Sequence, residues 1–270
     1  MEKERIQRVL AASGVASRRG VEEMILHGRI AVNGQVVTKL PCFVEPGDEI
    51  VVDGQVVRKR PQRLVYMLLN KPRGVVSSTR DDSKSNRPTV LDVIPAMAER
   101  VYSLGQLDED TTGLVILTND GELTNLLTHP RRDIEKTYIA HLDGRLGAED
   151  LDRLRGGAFV DGRRCRGPEA TLVRSSVQES VLKLTMTGGS TRIMRRVLAN
   201  MGFKVRRLHR LSYGPLSDRG LKIGSWRNLT DKELGALRKA AGGTIASTGG
   251  AAPAAGRRVG SRGRTAGRRR

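Results

Sequence analysis

A short acidic loop near the middle of the chain holds the residues best suited to chemistry. Asp108, Glu109 and Asp110 stand together, shortly before a continuous apolar run from Leu114 to Leu117. Carboxylates bind hard cations, cap turns, or act as bases and nucleophiles. Metal binding is the weakest interpretation, because no further acid or histidine cluster completes a shell, and we expect no metal. Turn capping fits Glu109 and Asp110, whereas a catalytic role needs one carboxylate aimed into a cleft, with Leu107 packing inward.

A basic segment further along the chain supplies the opposite charge. Residues 191–210 contain seven Lys and Arg and no acid. Apolar residues such as Met194 and Val197 interleave at helical spacing, which predicts an amphipathic helix that ends at Gly202. Most charge runs are solvated faces, but seven like charges repel one another and favour an anionic partner.

The charge of the whole chain points the same way. The 270 residues carry 48 Lys and Arg against 29 Asp and Glu, a formal net charge of +19. Residues 241–270 hold seven arginines, eight glycines, seven alanines and no acid, which predicts a disordered basic tail. Residues 1–60 contribute +2, which leaves +10 for residues 61–240. Nucleic acid is the first partner expected of such a chain.

Several classes of protein are excluded by composition. No apolar stretch approaches the roughly 18 residues of a membrane-spanning helix, and the charged N-terminus lacks the apolar region of a signal peptide. Cys42 and Cys165 are too few for a disulfide framework or a zinc site. We therefore expect a cytoplasmic protein.

Local patterns predict the elements that carry these residues. Short helices are expected over 4–12 and, after the N-cap Ser17, over 18–27. The pair Asn33-Gly34 indicates a hairpin, and a further strand covers Glu49 to Val52.

The central part of the chain is predicted to alternate strands, turns and helices. A strand over Val65 to Leu69 leads into a turn at Pro72 and Gly74, and a helix follows over Glu122 to Leu127. Without further context Lys71 is expected to be an ordinary surface lysine. Tyr138 alternates with its neighbours in another strand, where a tyrosine is more often half-buried core than a catalyst.

Four motifs before residue 60 carry a family resemblance: Ala16-Ser17-Arg18-Arg19, Ile25 to Gly28, Val32-Asn33-Gly34 and Gly47-Asp48. Together they resemble an S4 RNA-binding domain, over about residues 3–57. The resemblance implies that a two-helix face contacts phosphates of structured RNA. Such contacts position a protein without choosing a base, so this module indicates RNA but no reaction. The expected contacts are Arg5, Arg8, Arg18 and Arg19, with Lys39 as a further candidate.

Further motifs follow in a fixed order: Asn70-Lys71-Pro72-x-Gly74-Val75, Gly105-x-Leu107-Asp108-x-x-Thr111-x-Gly113-Leu114, Leu117 to Gly121, Glu135-Lys136-Thr137-Tyr138 and a C-terminal block from Met194 to Thr230. They resemble the RsuA/RluB-type pseudouridine synthases, and the match covers about residues 3–237. One such motif is a weak signal, but five in register are a strong one.

The resemblance implies a reaction and the residues that perform it. A uridine within RNA is isomerised to pseudouridine without a cofactor, and Asp108 is the essential carboxylate. It acts as a nucleophile on the sugar or removes a sugar proton, and both roles need it ionised. Arg195 is implied as the nearby cation that keeps it so, and Tyr138 as the ring that stacks on the target uracil. Further expected RNA contacts are Lys71, Gln106, Arg192 and Arg196.

The sequence departs from the family pattern at three positions. Gln106 stands where Arg is usual, Gly188 where Glu is usual and Ile193 where Gln is usual. Because of these changes, the sequence does not identify which RNA the protein modifies. They also support an alternative function, that of a non-catalytic S4-type RNA-binding or ribosome-assembly factor. Because Asp108, Tyr138 and Arg195 are all retained, an active enzyme is favoured.

The sequence thus predicts an α+β protein with a tail. We expect an S4-like domain and linker over 1–60, a mixed, mainly antiparallel-sheet pseudouridine synthase domain over 61–240, and a disordered tail over 241–270. The expected partner is ribosomal RNA or a ribosomal precursor particle, with large-subunit RNA favoured. We expect a monomer that binds no membrane and needs no small-molecule cofactor.

Overall fold

The computed structural model describes residues 3–57, 63–78, 87–129, 132, 134–160, 162–188 and 191–242. The predicted linker at 58–61 and the arginines of the predicted tail lie outside these residues. The N-terminal part is a small α+β unit with the elements β1 (Glu4–Arg5), α1 (Ile6–Ala12), α2 (Arg18–Leu26), β2 (Ile30–Val32), β3 (Gln35–Val37), β4 (Phe43–Val44), β5 (Ile50–Val52) and β6 (Gln55–Val56).

This unit closes around its own core. Four strands pair in the antiparallel order β3-β2-β5-β6, while β1 pairs with β4. The Ser17 hydroxyl accepts a hydrogen bond from the Gly20 N–H at 3.0 Å, which confirms the predicted N-cap of α2. The β2–β3 hairpin turns at Asn33 and Gly34, both at positive φ, as the sequence predicted. The core of the N-terminal unit includes Ile6, Leu10, Val21, Ile25 and Ile30, which are all fully buried.

The residues described from 63 onward contain most of the helices and strands. The first half of this second part comprises β7 (Tyr66–Lys71), β8 (Tyr102–Leu104), β9 (Thr112–Thr118), α3 (Gly121–Thr128), β10 (Glu135–Asp143), α4 (Ala148–Gly156), β11 (Ala158–Val160) and β12 (Arg163–Cys165). The second half comprises β13 (Glu169–Ser175), β14 (Glu179–Thr187), α5 (Thr191–Asn200), β15 (Val205–Tyr213), β16 (Leu216–Ser217), β17 (Trp226–Asn228) and α6 (Asp231–Ala240).

Nine of these strands form one mixed sheet. Its main path runs β13-β14-β10-β15-β9-β7-β17, with β16 beside β15 and β8 beside β9. Among the described strands every pairing is antiparallel except that of β15 with β9. The predicted mixed, mainly antiparallel sheet is therefore confirmed.

Alternate residues of the central strands pack into two hydrophobic cores, one on each face of the sheet. On β9, Val115 and Leu117 join one cluster, whereas Leu114 and Ile116 join the other. The first face is covered by α4, α5 and the β11–β12 hairpin, through residues such as Leu154, Val160, Met194, Val197 and Leu198. The second is covered by α3 and α6, through Leu123, Leu127, Leu234 and Leu237.

Several predicted boundaries shift in the structure, among them the start of the first helix, which lies at Ile6 because residues 4–5 form β1. The strand expected over 65–69 extends to Lys71, because its backbone continues to pair with β9 as far as Gly113. The tail was predicted to begin at residue 241, yet Ala241 is buried in the second core and its N–H donates to the Leu237 carbonyl at 3.1 Å. Ala241 therefore belongs to the packed part of the chain. Within the described residues, no helix combines the length and apolarity needed to cross a membrane.

Candidate active site

Lys71 fastens the acidic loop to the end of β7. Its ammonium group donates to the backbone carbonyls of Pro72, Val75 and Glu109 at 3.1, 2.6 and 3.2 Å. The N–H of Gly74 also donates to the Glu109 carbonyl, at 2.9 Å. The turn after β7 and the loop that contains Asp108 are thereby held together as one structure.

The expectation that Lys71 lies at the surface is wrong. Its exposed fraction is 0 %, and burial lowers its pKa to about 8, against the opposing charges of Asp110, Glu109 and Asp108. Three backbone carbonyls replace the water that the ammonium loses. In this structure Lys71 positions the loop, and it exposes no atom for its predicted contact with RNA.

Ser77 fixes the backbone just before Asp108. Its hydroxyl donates to the Leu107 carbonyl at 2.8 Å and accepts from the Leu107 N–H at 3.0 Å. Leu107 itself is buried in the first core, which the catalytic interpretation of the acidic loop requires. The role of Ser77 was not predicted, because a serine after a turn carries no distinctive signal in the sequence.

Two side chains from the start of α5 hold the Asp108 carboxylate. Thr191 Oγ1 donates to Oδ2 at 2.7 Å, and Arg192 Nε donates to Oδ1 at 2.8 Å. The Asp108 side chain keeps 20 % of its surface exposed, so a substrate can reach it. The first turn of a helix also favours an anion, through its unpaired N–H groups.

Arg195 does not make the direct contact with Asp108 that its implied role suggests. Its Nη2 lies 2.9 Å from Oδ2 of Asp110 and donates to Thr111 Oγ1 at 3.2 Å. Its Nη1 donates to the Val205 carbonyl at 3.3 Å. Arg195 thus ties α5 to the acidic loop, and Arg192, expected only as an RNA contact, is the arginine that binds Asp108.

The pKa of Asp108 lies below the ordinary value of an aspartic acid. Partial burial raises it, but hydrogen bonds from Arg192 and Thr191, together with the charges of Arg192 and Arg195, outweigh that effect. The carboxylate is therefore ionised at neutral pH, which is the state that a nucleophile or base requires.

The only parallel pairing among the described strands depends on Gly113. This residue has φ of 113°, and a Cβ there would lie 2.4 Å from the backbone N and O of Arg210. Arg210 is buried, and its guanidinium donates to the carbonyls of Leu114 and Gly105 at 2.6 Å each. The Arg210 side chain therefore holds both β9, which follows the acidic loop, and Gly105, which lies shortly before it.

Tyr138 lies on β10, opposite Arg210 of β15 and Leu184 of β14. It is 3 % exposed and belongs to the same core cluster as Leu107 and Met194. Its strand is confirmed, and the ring is more buried than the half-buried position that alternation indicated. Its stacking on a uracil stays a prediction.

The other predicted RNA contacts, unlike Lys71, are exposed. They comprise Arg5, Arg8, Arg18 and Arg19 in the N-terminal unit, and Gln106, Arg192 and Arg196 in the second part. Their accessibility leaves each of them able to meet RNA, and the contacts themselves stay predictions.

His209 has a structural partner on each side. Its Nδ1 lies 2.7 Å from Thr112 Oγ1, and its Nε2 lies 2.8 Å from Asp218 Oδ2. β15 therefore places the ring between two polar neighbours. No group of three or more His, Cys, Asp or Glu residues in the described ranges is arranged to hold a metal ion.

Comparison with known proteins identifies the family. Residues 65–200 match the family model described as RNA pseudouridylate synthase, and residues 4–50 match the S4 domain model. The chain belongs to the RNA pseudouridylate synthase family. The matched segment runs from β7 into α5 and so contains Lys71, Asp108 and the residues that hold them.

Relatives of similar length support the assignment to this family. A Bacillus subtilis protein named ribosomal large subunit pseudouridine synthase B is 42 % identical over 238 residues, which are 87 % of this chain and 96 % of the relative. An Aquifex aeolicus protein named as an uncharacterized RNA pseudouridine synthase is 39 % identical over 88 % of this chain and 95 % of its own. A crystal structure of a pseudouridylate synthase covers 86 % of this chain and 99 % of its own, with a TM-score of 0.62 and 27 % identity.

Proposed function

We propose that the protein isomerises a specific uridine of ribosomal RNA to pseudouridine, with Asp108 as the essential carboxylate. The observation that carries this proposal is an ionised, partly exposed carboxylate held by Thr191 and Arg192 at the start of α5, a helix that contains three arginines and no acid. The name of the Bacillus subtilis relative supports large-subunit RNA as the substrate.

The proposed reaction needs no cofactor because its atoms balance within the substrate. The bond between N1 of uracil and C1′ of ribose breaks, the base turns, and C5 bonds to C1′. C5 loses a proton and N1 gains one, so the product is an isomer. Asp108 attacks the sugar as a nucleophile or removes a sugar proton, and both routes begin from the ionised carboxylate.

Two other side chains have proposed roles in this reaction. Tyr138 would stack on the uracil, since one aromatic ring suits a single base that is turned out of its stack. Arg195 would position the acidic loop through Asp110 and Thr111 while its charge helps to keep Asp108 ionised. We also propose that the protein works as a monomer in the cytoplasm, on ribosomal RNA or a precursor particle.

An assay with purified full-length protein tests the function. Unmodified large-subunit and small-subunit RNA are incubated separately with the protein, and pseudouridine is mapped at single-nucleotide resolution. We expect one modified uridine in large-subunit RNA. Product in small-subunit RNA alone would overturn the proposal that large-subunit RNA is the substrate. RNA binding without product in either RNA would favour the non-catalytic alternative.

A further inference from the structure

The hairpin formed by β11 and β12 lies beside the helix that holds Asp108. Val160 on β11 is buried in the first core together with Met194 and Val197 of α5, and Cys165 of β12 packs against the same cluster. The inner face of the hairpin is thus fixed against α5, while its outer face is turned toward solvent.

Phe159 points away from that core. This residue is 70 % exposed. The whole chain contains only three phenylalanines. The direct partner of Phe159 across the hairpin is Arg164, which is also exposed. An aromatic ring with an arginine beside it is a surface on which a nucleobase stacks.

Two cations near Phe159 are available to an anionic ligand. Neither Arg164 nor Arg166 forms an ion pair with a described residue, and both are exposed. Arg166 also lines a cleft of about 320 Å³ whose walls include Glu135, Glu169 and Ile193 of α5. Because Ile193 immediately follows Arg192, one wall of this cleft belongs to the helix turn that binds Asp108.

We propose that the outer face of the β11–β12 hairpin is a second RNA-binding surface of the catalytic domain. An unpaired base of the substrate stacks on Phe159, and the phosphates next to it bind Arg164 and Arg166. The charge of the two arginines favours a nucleic acid over an apolar protein partner. This inference rests on the proposed function, because it assigns the surface to the RNA that presents the target uridine.

Binding of full-length variants to a labelled large-subunit RNA transcript at fixed salt tests the proposal. Phe159→Ala should raise Kd about tenfold, whereas Phe159→Trp should bind like the wild type. Phe159→Leu should bind as weakly as the alanine variant, because a leucine keeps apolar area but has no ring. The control is Ile223→Ala, which removes another exposed apolar side chain and should leave Kd unchanged.

Two results would overturn the proposal. The first is a Kd for Phe159→Ala equal to that of Ile223→Ala, and the second is full affinity in Phe159→Leu, which would show that no base stacks on the aromatic ring. Thermal melting checks that every variant is folded, which the exposure of Phe159 leads us to expect. If the wild type binds RNA but forms no pseudouridine, the proposed function fails, while the Kd comparison still decides the role of Phe159.

Discussion

Arg192 Nε lies 2.8 Å from Oδ1 of Asp108, although the two residues are 84 positions apart in the chain. The contact joins the loop before β9 to the first turn of α5. Arg195, further along the same helix, pairs with Asp110 instead. The two arginines therefore have different tasks: Arg192 binds the carboxylate directly, and Arg195 holds the loop that presents it.

Replacing Arg192 should change the pH dependence of the reaction. Arg192→Ala removes a hydrogen bond and a charge that both lower the pKa of Asp108, so that pKa should rise. We expect the acidic limb of kcat/KM against pH to move to higher pH. The control is Arg207→Ala, which removes another exposed cation and should affect KM without moving the limb. An identical acidic limb in both variants would contradict the role of Arg192.

Lys71 should make stability depend on pH in the alkaline range. Its pKa is lowered from 10.5 to about 8 in the folded protein, so between these values the unfolded chain binds more protons. The free energy of unfolding should therefore rise with pH from about 8 to 10.5 in the wild type, relative to Lys71→Met.

Chemical denaturation at several pH values measures this difference. The control is Lys222→Met, which replaces an exposed lysine and should follow the wild type at every pH. If the wild type and Lys71→Met keep a constant difference across the range, the buried ammonium does not titrate as described. Should Lys71→Met fail to fold, Lys71→Arg supplies the second comparison, because a guanidinium stays charged throughout this range.

Gly113 should tolerate no side chain. In Gly113→Ala the new Cβ meets the Arg210 backbone at 2.4 Å, and we expect a loss of about 4 kcal/mol or more in the free energy of unfolding. Gly220 has a positive φ of 78°, but no heavy atom lies within 4 Å of the point that a Cβ would occupy. Gly220→Ala should therefore cost only about 1–2 kcal/mol of backbone strain. Equal losses in the two variants would show that the close strand contact is unimportant.

The basic C-terminal segment should contribute general affinity for RNA. Deleting residues 243–270 removes seven arginines and spares the buried Ala241. We expect a higher Kd for ribosomal RNA, most clearly at low salt, because fewer phosphate contacts release fewer counterions. Turnover of bound RNA should stay near that of the full chain. Unchanged affinity at low salt would mean that these arginines do not bind the substrate.

The sequence was most informative where local chemistry determines structure. The N-cap Ser17, the Asn33-Gly34 hairpin and the buried strand around Leu114 to Leu117 follow from turn chemistry and apolar runs, and each is present. The burial of Lys71 could not be predicted in this way, because it depends on carbonyls that a distant loop supplies.

The arginine that pairs with Asp108 could not be predicted from the sequence either. Family resemblance pointed to Arg195, while the spacing along α5 gave no means of choosing between Arg192 and Arg195 as the partner of Asp108. The choice is made by the packing of α5 on the sheet, which turns Thr191 and Arg192 toward the loop. Such long-range geometry is absent from any local pattern.

The most direct test of the catalytic role of Asp108 compares Asp108→Asn with Glu109→Gln on large-subunit RNA, with product formation and Kd measured together. Asparagine keeps the size of Asp108 but cannot act as a nucleophile or base, whereas Glu109 pairs with Arg87 at the surface. We predict that Asp108→Asn binds RNA like the wild type and forms no pseudouridine, while Glu109→Gln retains turnover. Full turnover by Asp108→Asn would contradict the assignment.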